Sequence, residues 1–359
     1  MKIPKLKIGV HEVEFPIIQG GMGVGVSLSG LASSVTKCGG IGVISGASIG
    51  FLSEDFRKNP HLSNINMLKK EISKARGVIR DGVIGINLMV AQTDYENLVK
   101  ASLEAGADII FSGAGLPLNL PKLKQLYPEN KTALVPIISS PRAAKIICKK
   151  WIRYNYIPDA FVLEGPKAGG HLGYSLEELK EGKIDIIGLL KQTKEAISPY
   201  EAEYGKKIPV IVAGGVYSGE DIANMIKNGA SGVQMATRFV TTDECDASIK
   251  FKEEYIRAKK QDIVFIKSPV GLPGRAIRNR FLELVEKGEK MPVKCPYHCI
   301  KTCNPQKAPY CISLALINAQ KGDLDNGFAF AGENAYRATK IIRVKELFDE
   351  LIGDFLKAK

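Results

Sequence analysis

One of the four histidines in this 359-residue chain, His171, stands in the stretch EGPKAGGHLG (Glu164–Gly173), where five positions are Gly or Pro. That density of breakers argues against a regular helix or strand. The stretch is then either a surface turn with a chance histidine or an active-site loop. An imidazole titrates near neutrality, so here it could act as a base or donate a hydrogen bond to an anion. His11, His61 and His298 have no comparable context and read as structural or surface groups. A second constellation is CPYHCIKTCNPQKAPYC, which carries Cys295, Cys299, Cys303 and Cys311 with His298 among them, four of the seven cysteines. Four thiolates could hold zinc or an iron–sulfur cluster. Their C-x3-C-x3-C-x7-C spacing is neither the paired C-x2-C zinc pattern nor a ferredoxin run. The plainer reading is a set of small buried hydrophobes near a turn. The sequence alone therefore assigns no metal and keeps these four as the candidate ligands.

The elements that must position such groups are legible as eight short apolar runs: Phe15–Gly21, Gly40–Ser45, Val83–Met89, Asp108–Gly113, Leu134–Ser139, Ala160–Gly165, Pro209–Gly215 and Gly232–Phe239. They are continuous rather than alternating, as parallel strands covered on both faces are. Most end in Gly, Ser or Asn. Helical stretches lie between several of them. TDYENLVKASLEAGA spaces Leu98, Leu103 and Ala107 helically, and SPRAAKIICKKWIRY opens on Ser-Pro. SGEDIANMIKNGA offers Ser218 as N-cap, Asp221 three residues on and Gly229 at the C-cap. Strand then helix, eight times, predicts an α/β fold of the (β/α)8 TIM-barrel type. The long spacings after the second and sixth strands predict insertions at the catalytic mouth. Residues 1–245 form the barrel in this reading, and residues 246–359 form a helical, cysteine-containing extension packed on it. A doubly wound sheet is the alternative, but Gly21-x-Gly23 is followed by Val26 where a dinucleotide fingerprint needs its third glycine.

In a barrel, the ends of the strands converge on one face. Loops after strands seven and eight commonly hold phosphate. Gly214 and Gly215 present backbone N–H groups there, the helix from Ser218 offers its N-terminal end, and Thr237 adds a hydroxyl. Phe328, Phe330 and Tyr336 in the extension are core residues by default and pocket walls if the tail folds back over the mouth.

The chain is 45% hydrophobic with net charge +12. Lysine and arginine are interspersed with acids, and no arginine-rich or aromatic-interleaved tract appears. Nucleic acid is not an expected partner; an anionic substrate or phosphate-bearing cofactor is compatible. No run reaches the length of a membrane span, the start lacks a signal-peptide pattern, and seven cysteines do not make a secreted disulfide framework. A cytoplasmic protein acting on a small molecule is expected.

PIIQGGMG, GINLM, EGPKAGGHLG and VAGGVYSGEDIANMIKNGASGVQMATRF together resemble the nitronate monooxygenase family, formerly called 2-nitropropane dioxygenases. Enoyl-acyl-carrier-protein reductase II and a flavin NADH:quinone reductase belong to the same superfamily. The likeness covers Phe15 to Phe239 and continues weakly through SPVGLPGRAIRN. It implies an FMN-dependent barrel enzyme that oxidises alkyl nitronates to carbonyl compounds and nitrite. It also implies that Gly21 and Met22 lie along the flavin, Asn87 hydrogen-bonds it, and Gly169 and Gly170 pass close to it. Gly214, Gly215, Ala236 and Thr237 would hold its phosphate, with Gln234 nearby, and His171 would be the catalytic residue. Lys167 stands where many relatives have an acidic or neutral residue, and Ala236 where a glycine often precedes the threonine. The alternatives are an NADH-dependent enoyl-thioester or quinone reductase, with NADH or an acyl carrier protein as partner, and a non-catalytic FMN- or phosphate-binding sensor barrel.

Overall fold

The computed structural model describes residues 2–289, 295 and 297–358. Eight strands make one parallel sheet: β1 (Ile17–Gln19), β2 (Gly42–Ser45), β3 (Ile84–Met89), β4 (Ile109–Gly113), β5 (Ala133–Ile138), β6 (Phe161–Glu164), β7 (Val210–Ala213) and β8 (Gly232–Met235). Their order is β1-β8-β7-β6-β5-β4-β3-β2. The ring closes between β1 and β2, where Ile18 bridges Ile41 and the Gln19 N–H donates to the Ile41 carbonyl at 2.9 Å. The buried Gln19 side chain seals this seam, its Oε1 accepting the Val43 N–H at 2.9 Å. The fold is a TIM barrel.

Each apolar run matches one strand, the fifth strand starting one residue before its run. The eighth stops earlier than its hydrophobicity suggests, because the backbone leaves the extended region at Ala236 (φ −120°, ψ −55°) and Thr237 opens the short helix Thr237–Val240. Strand alternation divides the core. Val43, Phe111, Val135, Val162 and Ile211 fill the barrel, while Ile44, Ile86, Ile110, Leu134, Leu163 and Val212 face the outer helices. A hairpin, Leu6–Ile8 paired with His11–Val13, plugs one end by adding Leu6, Ile8 and Val13 to the interior cluster.

The helix signals act as local chemistry requires. Ser140 Oγ accepts the Ala143 N–H at the start of helix Pro141–Trp151. Ser218 and Asp221 form a reciprocal capping box on helix Gly219–Lys227, and Gly229 follows its C-cap at φ +94°. The spacings after β2 and β6 are long partly because each carries a 19-residue outer helix, Pro60–Val78 and Ile186–Tyr204. The C-terminal helix Val344–Lys357 packs on helices Gly219–Lys227 and Ser29–Lys37. It buries Phe348, Leu351 and Phe355 there, in the place beside β8 that one turn of helix cannot fill. Among the described residues, no helix is long and apolar enough to cross a membrane.

Candidate active site

The floor of the mouth is a polar layer on top of the apolar interior. In register, Asn87 lies beside Phe111, and Ala213 lies between Glu164 and Gln234. Phe111 and Ala213 belong to the interior cluster, so Asn87, Glu164 and Gln234 face inward as well. The glycines after β1 press against this layer. A Cβ on Gly20 would stand 3.2 Å from Gln234 Cγ, and one on Gly21 would stand 2.3 Å from Asn87 Cβ. Only glycine lets this turn pass over Asn87. Met22 follows, its N–H donating to Ser27 Oγ at 2.9 Å.

At the ends of β7 and β8, Gly214 (φ +88°) and Gly215 (φ +89°) form a tight turn. Any side chain on Gly214 would reach within 2.8 Å of the Ala168 nitrogen, and one on Gly215 would meet the Lys167 side chain. Lys167 thus lies over the turn. Ala236 precedes Thr237, whose Oγ1 accepts the Gly332 N–H at 3.2 Å. Asn334 Nδ2 donates to the Gly215 carbonyl at 2.8 Å. The sequence does not announce Gly332 or Asn334; the one signal there is the glycine in FAGEN, which has no obvious turn to make. The helix end at Ser218 is already occupied: the Asp221 carboxylate takes the Tyr217 and Ser218 amides, both at 2.9 Å.

The histidine stretch is a strand where the sequence argues for a loop. Gly170–His171 adds an edge to the hairpin Ile263–Lys267/Pro273–Ile277, with Gly274 opposite His171 and Arg275 opposite Gly170. The partner residues, Gly274 and Arg275, lie more than 100 positions further along the chain, so no local pattern announces the pairing. Gly169 packs so tightly on the Ala331–Gly332 backbone that a Cβ would stand 2.5 Å from it, while Gly170, at φ +77°, faces open space. The buried Arg275 ties the stretch down, its Nη1 donating to the Pro166 carbonyl at 2.8 Å and to the Ala168 carbonyl. His171 Nε2 lies 2.6 Å from Ser268 Oγ, and its ring meets Phe330 edge-on at 4.9 Å between centroids. Phe330 is thus a wall of the site, whereas Phe328 is fully buried among Phe281 and Tyr310.

Burial sets the electrostatics. It pushes the His171 pKa down to about 4, so the imidazole is neutral at pH 7 and does not titrate near neutrality as an exposed histidine would. Burial also pushes Glu164 up to about 7, leaving a carboxyl that is partly protonated at neutral pH. Glu164 sits in a stretch the sequence highlights, but its role depends on desolvation, which no residue pattern encodes. The Lys167 charge is met by Glu333 at 3.7 Å, and Glu333 also lies 3.8 Å from Arg275. The other histidines lie elsewhere: His11 Nε2 meets the Lys131 carbonyl at 3.1 Å, and His61 stands 3.6 Å from Asp94.

The likenesses to known proteins agree with this architecture. The chain is 28% identical over 278 residues to a (3aS,4S,5R,7aS)-5-hydroxy-7a-methyl-1-oxo-octahydro-1H-indene-4-carboxyl-CoA dehydrogenase of Mycobacterium tuberculosis, covering 77% of this chain and 67% of that one. It is 26% identical over 296 residues to a "Probable nitronate monooxygenase" of Staphylococcus aureus, covering 76% and 77%. Among solved structures, FabK from Thermotoga maritima superposes with a TM-score of 0.73 at 26% identity, covering 96% and 94%. A nitroalkane oxidase from Streptomyces ansochromogenes shares the fold, with a TM-score of 0.73 at 22% identity over 96% of each chain. The nitronate monooxygenase family model matches residues 4–354, so the chain belongs to that family of oxidoreductases.

Proposed function

We propose that the protein is an FMN-dependent oxidoreductase of nitronate monooxygenase type, which oxidises alkyl nitronates to carbonyl compounds and nitrite with dioxygen as oxidant. The observation that carries this reading is the fixed, neutral imidazole of His171 beside a glycine backbone open to the mouth. The residues fit FMN at both ends. The Gly214–Gly215 turn, the Thr237 hydroxyl held in place by the Gly332 N–H, and the overlying Lys167 suit a phosphate. The Gly21 turn and Gly170 leave flat backbone against which a ring system can lie, with Asn87 and Gln234 beneath as hydrogen-bonding groups. Bound there, FMN would supply the electron-accepting chemistry. The protein's part is to bind and orient the anion. A neutral imidazole held by Ser268 donates one N–H toward nitronate oxygens, and Phe330 excludes water from one side. With its pKa near 4, His171 is a weak base, which favours a preformed nitronate over a neutral nitroalkane as substrate.

A second reading is an NADH-dependent reductase of enoyl thioesters on the same scaffold. Glu164 favours it: a carboxyl still partly protonated at pH 7 can deliver the proton that such a reduction requires. Flavin spectra recorded anaerobically and aerobically, with a nitronate and with NADH in parallel, separate the two. Bleaching by nitronate and reoxidation by air support the first reading. Bleaching by NADH alone transfers the assignment to the second.

A further inference from the structure

Cys295, Cys299, Cys303 and Cys311 together wall a cavity of about 400 Å³ outside the barrel core. All four are free thiols. Each sulfur lies within electrostatic range of the other three. They reach this place from a segment docked on the loop that follows β3. Thr93 donates from its N–H to the Cys299 carbonyl at 3.1 Å and from Oγ1 to the His298 carbonyl at 2.6 Å. The Lys301 N–H donates to the Ala91 carbonyl at 2.9 Å, and Gln92 bridges Ile300. The strand leading into that loop ends next to Asn87, so the thiols stand beside the mouth that holds the candidate flavin site.

Polar hydrogens are aimed at the sulfurs. The His298 N–H donates to Cys295 Sγ at 3.3 Å, from a residue held at φ +47°. Ser313 Oγ donates to Cys299 Sγ at 3.1 Å and is itself held by Ser48 Oγ at 3.0 Å. Cys311 is the N-cap residue of the nine-residue helix Ile312–Gln320, at the positive end of its dipole. Such donors tune metal–sulfur centres. Cys299 and Cys311 pack in part against the apolar cluster of Phe51, Phe56 and Tyr297, but all four thiols also converge on one space, with an N–H and an O–H directed at two of the sulfurs. A single zinc would draw four sulfurs to about 3.8 Å from one another, given Zn–S bonds of about 2.3 Å in a tetrahedron. Among the described residues, no three metal-binding groups stand close enough to share one ion. A cubane cluster places each thiolate on a separate iron and accepts a wider set of sulfurs. Ile300, Ala308 and Ile312 line part of the space, and Thr93, His298 and Lys301 line the rest of it with polar groups.

We propose that Cys295, Cys299, Cys303 and Cys311 bind a [4Fe–4S] cluster, one thiolate to each iron, beside the mouth of the barrel. The test is anaerobic purification or reconstitution of the full chain with iron and sulfide, followed by iron, zinc and acid-labile sulfide analysis and low-temperature EPR after dithionite reduction. The expected result is about four irons and four sulfides per chain, a reduced-cluster EPR signal, and loss of both in Cys299→Ser with Cys303→Ser. Thermal melting and flavin content report whether that variant folds; if it does not, Cys303→Ala alone is measured, and the wild-type stoichiometry stands independently. About one zinc per chain, no iron retained after reconstitution, or iron unchanged in the folded variant would overturn the proposal. None of these readouts depends on nitronate or NADH turnover.

Discussion

His171 Nε2 and Ser268 Oγ stand 2.6 Å apart although 97 residues separate them in the chain. The contact exists because Gly170–His171 pairs as a strand with the hairpin whose turn carries Ser268. It joins the barrel loop that presents the imidazole to the C-terminal part of the chain, and it fixes which ring nitrogen remains for a ligand.

Ser268→Ala should leave flavin content unchanged and lower kcat/KM for a nitronate by about 2- to 10-fold, the worth of one neutral hydrogen bond. His171→Ala should cost more, about 10- to 150-fold, because a hydrogen bond to an anion is worth roughly 1.5–3 kcal/mol. Steady-state kinetics with a preformed nitronate and with its neutral nitroalkane form the check. Because burial holds the imidazole neutral and weakly basic, the neutral substrate should lose no more than the nitronate. A selective loss of the neutral substrate would show that bound substrate restores the basicity of His171.

Arg275→Ala should destabilise the protein by about 2–3 kcal/mol, since it leaves the Pro166 and Ala168 carbonyls without their charged donor. Chemical denaturation measures this. Arg275→Lys should rescue it only in part, because one ammonium cannot reproduce the forked guanidinium geometry. Equal stability of wild type and Arg275→Ala would mean the histidine strand is held by its backbone ladder alone.

Stability should depend on pH through two groups of opposite sign. Glu164 rises from 4.5 to about 7 on folding, so its neutral form is favoured; that stability is complete below pH 4.5 and is lost as pH rises through 7. His171 falls from 6.5 to about 4, so its contribution is complete above pH 6.5 and is lost as pH falls toward 4. Each shift corresponds to at most about 3.5 kcal/mol at 1.36 kcal/mol per unit. Glu164→Gln, which keeps the shape of the neutral acid, should be more stable than wild type at pH 8 and indistinguishable from it at pH 4. Urea denaturation at the two pH values tests this, and an equal difference at both would remove Glu164 from the account.

Gly21→Ala should abolish or strongly reduce FMN retention. The new Cβ would fall 2.3 Å from Asn87 Cβ and must displace it. Flavin absorbance of protein purified with added FMN is the measurement, with circular dichroism to confirm the barrel. Recovery of FAD from wild type would contradict the single-phosphate reading of the Gly214–Gly215 turn.

By itself, the sequence determined what depends on neighbours along the chain. The eight strands appear in its apolar runs because a strand buried on both faces needs unbroken hydrophobicity. Ser140 and the Ser218–Asp221 pair announce helix starts because a cap bonds amides two or three residues away. The glycines at 21, 214 and 215 mark close approaches because no other residue fits them. Only the tertiary structure decided what depends on distant partners or on the loss of water. Gly and Pro around His171 argue against a strand, yet residues more than 100 positions further along the chain supply the pairing that makes one. Gly332 and Asn334 reach the Gly214–Gly215 turn and Thr237 because the tail folds back over the mouth. The ionisation of Glu164 and His171 follows from desolvation, a property of the surroundings and not of the residue. The cysteine spacing matched no familiar pattern because four thiols can be brought around one space by a docked loop and a helix start, and linear spacing does not record either.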